Sequence, residues 1–161
     1  MWLFHVSLCV VIAFASSECP SSIFEDIHGT CYYFSSDRGE RHTWQEARQF
    51  CQDIGALLDV KVDLAELDTE ASCMSDGLMM QKIAGKGERV WLGGTDEGSE
   101  GAWYWNSGRS ISIMDSLWYY TEPSSGTVQN CLIAWVRGDY NRAYYGDNEC
   151  SAEDAFVCMI L

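Results

Sequence analysis

Eight cysteines in 161 residues, seven of them downstream of an apolar leader, constrain what this chain can fold into more than any other feature. The seven stand at Cys19, Cys31, Cys51, Cys73, Cys131, Cys150 and Cys158, while Cys9 lies inside the leader. That leader runs from Trp2 to Ala15, apolar or small throughout apart from His5, and ends Ala13-Phe14-Ala15 before Ser16-Ser17-Glu18. It is too short to cross a bilayer and closes on the small-x-small pattern that signal peptidase cuts. Residues 1–17 are expected to be a secretory signal, cleaved after Ala15 or Ser17, and 18–161 a secreted, extracellular domain. The leader has no Lys or Arg at its start, so an uncleaved anchor is the alternative. Cysteines exported to an oxidising compartment pair as structural disulfides, and seven is odd, so one lacks an internal partner. Zinc is not expected, because no Cys-x-x-Cys pair exists and only His28 and His42 follow the leader.

The length suits one domain with a core and is short for two. Aromatic residues at 13% exceed what a disordered chain carries, so the module is folded. A net charge of −14, with ten Lys and Arg scattered from Arg38 to Arg142, argues against nucleic acid and anionic membranes, which need clustered cations. No second apolar stretch approaches spanning length, so membrane insertion is not expected. The acidic surface suits cations or plain solubility.

Local signals give the order of elements. Glu18 to Gly29 is turn-rich, Thr30 to Phe34 is a strand, and Cys19 and Cys31 are near enough to clip a short hairpin. Ser35 to Arg41 is a polar loop. Thr43, with Glu46 three residues on, forms a capping box. Trp44, Ala47, Phe50, Cys51 and Ile54 then share one helical face, and Gly55 is expected to end the helix. Cys51 thus points inward, toward a distant partner. A second helix is expected from about Asp63 to Met80, with Leu67, Ala71, Met74 and Leu78 on one face. Cys73 lies roughly 100° from Met74, off that stripe. It is taken as the unpaired thiol, available for a disulfide-linked homodimer, with a buried inert thiol as the alternative. From Gly85 the chain turns to short strands: Arg89 to Gly94, a segment in which Trp103 and Trp105 alternate with Tyr104, Asn130 to Trp135, Arg142 to Asp147, and Ala155 to Ile160. Helices before strands argue an α+β fold.

Between Trp118 and Cys150, carboxylates, amides and hydroxyls gather on a turn around Pro123, with a disulfide-capable pair, Cys131 and Cys150, able to hold it. Calcium takes roughly six to eight oxygen ligands in such a semi-flexible cage. An ordinary surface loop has the same composition. Catalysis is not expected. Asp96 and Glu100 could be imagined as paired carboxylates, but no Gly-x-Ser-x-Gly is present and neither His28 nor His42 has a recognisable catalytic setting.

In order along the chain stand Cys19-Pro20, Cys31-Tyr32-Tyr33-Phe34, the Trp44/Ala47/Cys51 helix, Ala56-Leu57-Leu58, Trp91-Leu92-Gly93-Gly94, Glu100-Gly101-Ala102-Trp103-Tyr104-Trp105, Glu122-Pro123-Ser124, and Cys131, Cys150 and Cys158. With these the chain resembles the C-type lectin-like domain family over nearly all of 18–161. The resemblance implies two helices packed on short antiparallel sheets, a long calcium and ligand loop, and disulfides Cys19–Cys31, Cys51–Cys158 and Cys131–Cys150, leaving Cys73 over. Each disulfide contributes roughly 2–4 kcal/mol, the long Cys51–Cys158 loop more on the chain-entropy account.

The family's sugar-binding calcium site looks like Glu-Pro-Asn for mannose-type sugars or Gln-Pro-Asp for galactose-type sugars, with a Glu just before the next cysteine and Trp-Asn-Asp on a later strand. Carried over, the ligands here are Glu122, Ser124, Gln129 and Asp147. Ser124 replaces Asn, Gln129 replaces Glu, and Tyr145-Gly146-Asp147 replaces Trp-Asn-Asp. Three carboxylates become two, so calcium affinity falls, into a millimolar range still tolerable outside cells. A second calcium position matches Asp96 and Glu100, with Ser125 and Asn130 as changed partners. Their alternatives are a turn residue for Asp96 and a structural contact for Glu100. Pro123 falls where the family holds a cis bond, and Tyr119, Tyr120, Tyr144 and Tyr145 flank the loop, able to stack on a sugar or to close the core. The implied function is a secreted lectin that recognises glycans with calcium, plausibly on microbial surfaces in innate immunity. The alternative is a calcium-independent module binding a protein or other surface.

Overall fold

The structure, a computed structural model, describes residues 19–67, 73–124, 126–136 and 142–161, and for 73–76 the backbone alone. The expected signal peptide and the side chain of Cys73 therefore lie outside the described residues. The elements run β1 (Glu25–Ile27), β2 (Thr30–Phe34), α1 (Trp44–Leu58), β3 (Val62–Leu64), α2 (Cys73–Lys86), β4 (Val90–Thr95), β5 (Tyr104–Trp105), β6 (Cys131–Val136), β7 (Ala143–Asn148) and β8 (Ala155–Ile160). Short 3-10 turns occupy Ser35–Arg38 and Gly126–Val128. The strands form one sheet in the order β1-β2-β8-β4-β6-β7, with β3 added to β8 and β5 to β4. The fold is α+β, with two helices on a mainly antiparallel sheet, as expected. Two details differ: strands precede and separate the helices, and β4 runs parallel to β8.

Two apolar clusters fill the two sides. Trp44, Ala47 and Cys51 of α1 pack with Val62, Trp91, Phe156 and Cys158. Met79, Met80, Ile83 and Ala84 of α2 pack with Leu92, Leu132, Ala134 and Trp103. Trp44 and Trp91 lock α1 to β4 reciprocally: the Trp44 indole N–H donates to Leu92 O at 2.9 Å and that of Trp91 to His42 O at 2.9 Å. These bonds satisfy the polar ends of side chains whose bodies supply the buried area. Trp103 and Trp105 are buried while Tyr104 between them is 46% exposed, the alternation expected of a strand.

Among the described residues the disulfides are Cys19–Cys31, Cys51–Cys158 and Cys131–Cys150. The second joins α1 to β8 across 107 residues, a loop for which chain entropy alone gives about 4.7 kcal/mol.

Helix α1 begins at the capping box as expected. Thr43 Oγ1 accepts from Glu46 N at 3.4 Å, and the Glu46 carboxylate accepts from Thr43 N at 3.1 Å. Its end is not at Gly55. The helix continues to Leu58 and is capped by Asp59 in the left-handed conformation, φ 55°. Gly55 is instead where β3 crosses close: a Cβ there would lie 2.7 Å from Val60 O and 3.0 Å from Val62 N. The expected second helix from Asp63 also moves. Asp63 lies in β3, buried and held by Arg48, Gln52 and Asn106, and Leu67 is buried outside any helix. The helix begins at Cys73, and its inward face is Met79, Met80, Ile83 and Ala84, with Leu78 at 36% exposure. The helical spacing of Leu67 and Leu78 does not describe one helix, since Leu67 lies outside α2 and Leu78 is not on its buried face; Ala71 and the side chain of Met74 lie outside the described residues. Ser35, in the expected polar loop, is buried, accepting Phe156 N–H at 2.8 Å and donating to Glu40 O at 2.9 Å.

Gly55→Ala tests the new role for this glycine. Helix propensity alone would stabilise by about 1 kcal/mol. Collision with backbone atoms is expected to win, lowering stability by about 1–3 kcal/mol, read as a lower urea midpoint at unchanged m-value.

Candidate functional site

The long loop is anchored before it is shaped. Trp118 packs edge-on against Trp103 and Tyr145, ring centroids 5.2 and 5.7 Å away, and its indole donates to Ser112 O at 3.1 Å. Backbone bonds from Tyr145 N to Leu117 O (2.6 Å) and Tyr119 N to Tyr145 O (3.0 Å) stitch the loop onto β7. Tyr145 is thus core, 1% exposed. Glu122 N then donates to Tyr119 O at 2.8 Å, and the Glu122–Pro123 peptide is cis.

Beyond this turn the chain folds over the Asp147 carboxylate. Ser124 N–H lies 3.1 and 3.0 Å from the two Asp147 oxygens, and Ser124 Oγ lies 3.3 Å from Asp147 Oδ1 and 3.3 Å from Gln129 Oε1. Ser124, Gln129 and Asp147 therefore meet at one spot. Glu122 stands beside it, its Cγ 3.6 Å from where a Cβ on Gly146 would be.

Asp96 and Glu100 approach from the loop after β4. Asp96 is buried at 3% exposure. Its Oδ2 accepts Gly101 N–H at 2.8 Å, while its buried Oδ1 has no hydrogen-bond partner among the described residues. Burial pushes its carboxyl above the usual range, and the negative charge of Asp147 adds to the rise. Glu100 is raised as well, by desolvation and then by Asp96 and Asp147. The charge of Asp147 is thus felt at both candidate calcium positions. Asn130 ties the groups together by accepting on its carbonyl from Asp96 N (3.3 Å) and Thr95 Oγ1 (2.7 Å). Its side-chain Oδ1 is buried without a hydrogen-bond partner among the described residues. Ser125 lies outside the described residues.

The donors here are carboxylate, amide and hydroxyl oxygens, the set a hard cation prefers, and the orphaned Asp96 Oδ1 is a ligand atom in want of a positive partner. Among the described residues, however, no three acidic, His or Cys side chains are already arranged to hold a metal.

Trp135 is the residue that sequence reasoning missed. A Cβ on Gly146 would meet Trp135 Nε1 at 2.8 Å, so an indole fills the space a side chain at 146 would enter. The space beside Glu122 is therefore filled by an N–H donor, which cannot ligate a cation. The register explains it: Ile133 pairs with Gly146 and Trp135 with Tyr144, which makes the β6 indole the diagonal cross-strand neighbour of a β7 residue with no side chain.

Residues 40–160 match the family model described as the lectin C-type domain. Chicken (Gallus gallus) hepatic lectin is 29% identical over 136 residues, 84% of this chain, which spans 56% of that protein's length. Mouse (Mus musculus) lithostathine-1 is 31% identical over 130 residues, covering 80% of this chain and 70% of the relative. Among solved structures, the mouse scavenger receptor C-type lectin carbohydrate-recognition domain superposes with a TM-score of 0.68 at 22% identity, over 88% of this chain and 94% of that one, which shows the fold.

Asp96→Asn keeps the acceptor for Gly101 and removes the charge. A carboxylate whose folded pKa is raised destabilises the folded state when ionised, and that penalty fades as pH falls through the raised value. The variant is expected to melt higher than the parent at pH 7 in chelator, with the difference shrinking toward pH 4. Equal melting temperatures at both pH values would remove the electrostatic coupling.

Proposed function

The chain belongs to the C-type lectin domain family, whose members are binding domains and not enzymes, and we propose that it is a secreted lectin that binds glycans through the loop from Glu122 to Asp147. The observation that carries this reading is the convergence of Glu122, Ser124, Gln129 and Asp147 at the turn after a rigidly anchored Trp118, with Asp96 and Glu100 adding negative potential from beneath. Glu122, Ser124, Gln129 and Asp147 would hold calcium, with Asp96 and Glu100 at a second position. Bound calcium supplies coordination positions for two neighbouring sugar hydroxyls. With two carboxylates at the first position, the affinity expected is millimolar. A carbohydrate-recognition domain among its structural neighbours and a hepatic lectin among its relatives support glycans as the ligand class.

The apolar leader supports export. No helix among the described residues is long and apolar enough to cross a membrane. Recognition of microbial surface glycans in innate immunity is the setting proposed, with Cys73 as the link in a disulfide-bonded homodimer. The second reading, a calcium-independent module that binds a protein or another surface, is favoured by the Trp135 indole over Gly146.

Thermal unfolding with calcium and with chelator separates the two. Calcium at about a hundred times its dissociation constant stabilises by roughly 2.7 kcal/mol. The expected result is an upward shift in Tm that disappears in Glu122→Ala/Asp147→Ala. A shift that survives in the double variant moves the ion to Asp96 and Glu100. No shift at about 100 mM calcium, a hundred times a millimolar dissociation constant, selects the calcium-independent module.

A further inference from the structure

An aromatic ledge lies beside the loop on the face of β6 and β7 that carries Ile133, at the edge of the α1-side cluster. Trp135 and Tyr144 are cross-strand partners, so their side chains leave the sheet on the same face. Tyr119 packs against both, with ring centroids 5.9 Å from Trp135 and 5.7 Å from Tyr144, and Tyr120 lies 4.5 Å from Tyr119. Tyr120 is 84% exposed, and the other three rings are half-buried. At the far end the exposed Arg142 guanidinium sits over the Tyr144 ring, 5.3 Å from its centroid. Arg41, Arg48, Lys82, Lys86, Arg89 and Arg109 are all engaged by carboxylates, whereas Arg142 has no ion pair among the described residues.

We propose that this ledge is a second sugar subsite, selecting an acidic pyranose linked to the residue held at the Glu122–Asp147 loop. The inference rests on that loop being the glycan-binding surface. Continuity supports it: the Trp135 indole that forms the inner end of the ledge abuts Gly146 beside Glu122, and Tyr119 accepts the Glu122 backbone N–H. A pyranose presents an apolar C–H face, which an exposed phenol ring covers at little entropic cost because tyrosine has few rotatable bonds. A carboxylate on that sugar meets Arg142, whose planar fork suits it and whose orientation over Tyr144 is already set. The chain's charge of −14 repels polyanions at a distance, yet fields are screened beyond about 8 Å at physiological salt, so Arg142 reads a single acidic residue locally.

The test uses the mature chain with calcium and pairs of oligosaccharides identical except for a carboxylate or a hydroxymethyl group on the sugar next to the terminal one. The parent is expected to favour the acidic member about fivefold, within what an exposed ion pair supplies. Arg142→Gln should abolish the preference while retaining affinity for the neutral member. Tyr120→Ala should weaken both about fivefold at unchanged Tm, as loss of a stacking ring does. Binding of both members without preference, or a preference that survives Arg142→Gln, overturns the acidic selectivity. An unaltered Tyr120→Ala overturns the ledge as a subsite. Failure of the parent to bind either member overturns the glycan reading of the loop itself.

Discussion

Strand β8 is the constraint on which the rest depends. It hydrogen-bonds β2 on one side and, along its length, β3 and β4 on the other, and its Cys158 is bonded to Cys51 of α1. Its residues Ala155 to Cys158 have no exposed surface at all. Both apolar clusters include it: Val157 faces the α2 side and Phe156 and Cys158 the α1 side. Every other strand is reached from β8 by pairing, so the sheet has one origin.

The loop inherits its rigidity from this arrangement at second hand. β4 pairs with β8, β6 with β4 and β7 with β6, and Trp118 then clamps the loop to Tyr145 of β7. The unfavourable burial of Asp96 near the charge of Asp147 is sustained because β4, which Asp96 follows, and β7, which carries Asp147, are fixed for other reasons. A cluster of this kind lowers stability in isolation, and a packed scaffold is what allows it to persist.

Much of this was legible in the residues, for reasons that can be named. Short-range chemistry reads well: Thr43 with Glu46 gave the helix start, and Trp103 and Trp105 around Tyr104 gave the buried face of β5. The cysteine pattern fixed three long-range contacts once the family resemblance was seen. What failed was whatever depends on a neighbour distant in sequence. Gly55 has the same identity whether it ends a helix or admits a crossing strand, and only the position of Val60 and Val62 decides which. A helix from Asp63 is ruled out because Val62–Leu64 pairs with β8, a partner nearly a hundred residues further along the chain. At the site, the substitutions at Ser124 and Gln129 were visible, but the indole filling the void at Gly146 came from another strand.

The position of β8 also bears on how the molecule is made. Three strands must wait, unpaired on one edge or both, until the residues after Asp154 have been synthesised. Synthesis of the 107-residue stretch from Cys51 to Cys158 takes about 5–20 s at ordinary elongation rates. During that interval Cys51 has Cys19 and Cys31 as wrong partners from the start, joined in turn by Cys73, Cys131 and Cys150. Native Cys51–Cys158 pairing thus has to be completed, or corrected by thiol exchange, after nearly the whole chain has emerged.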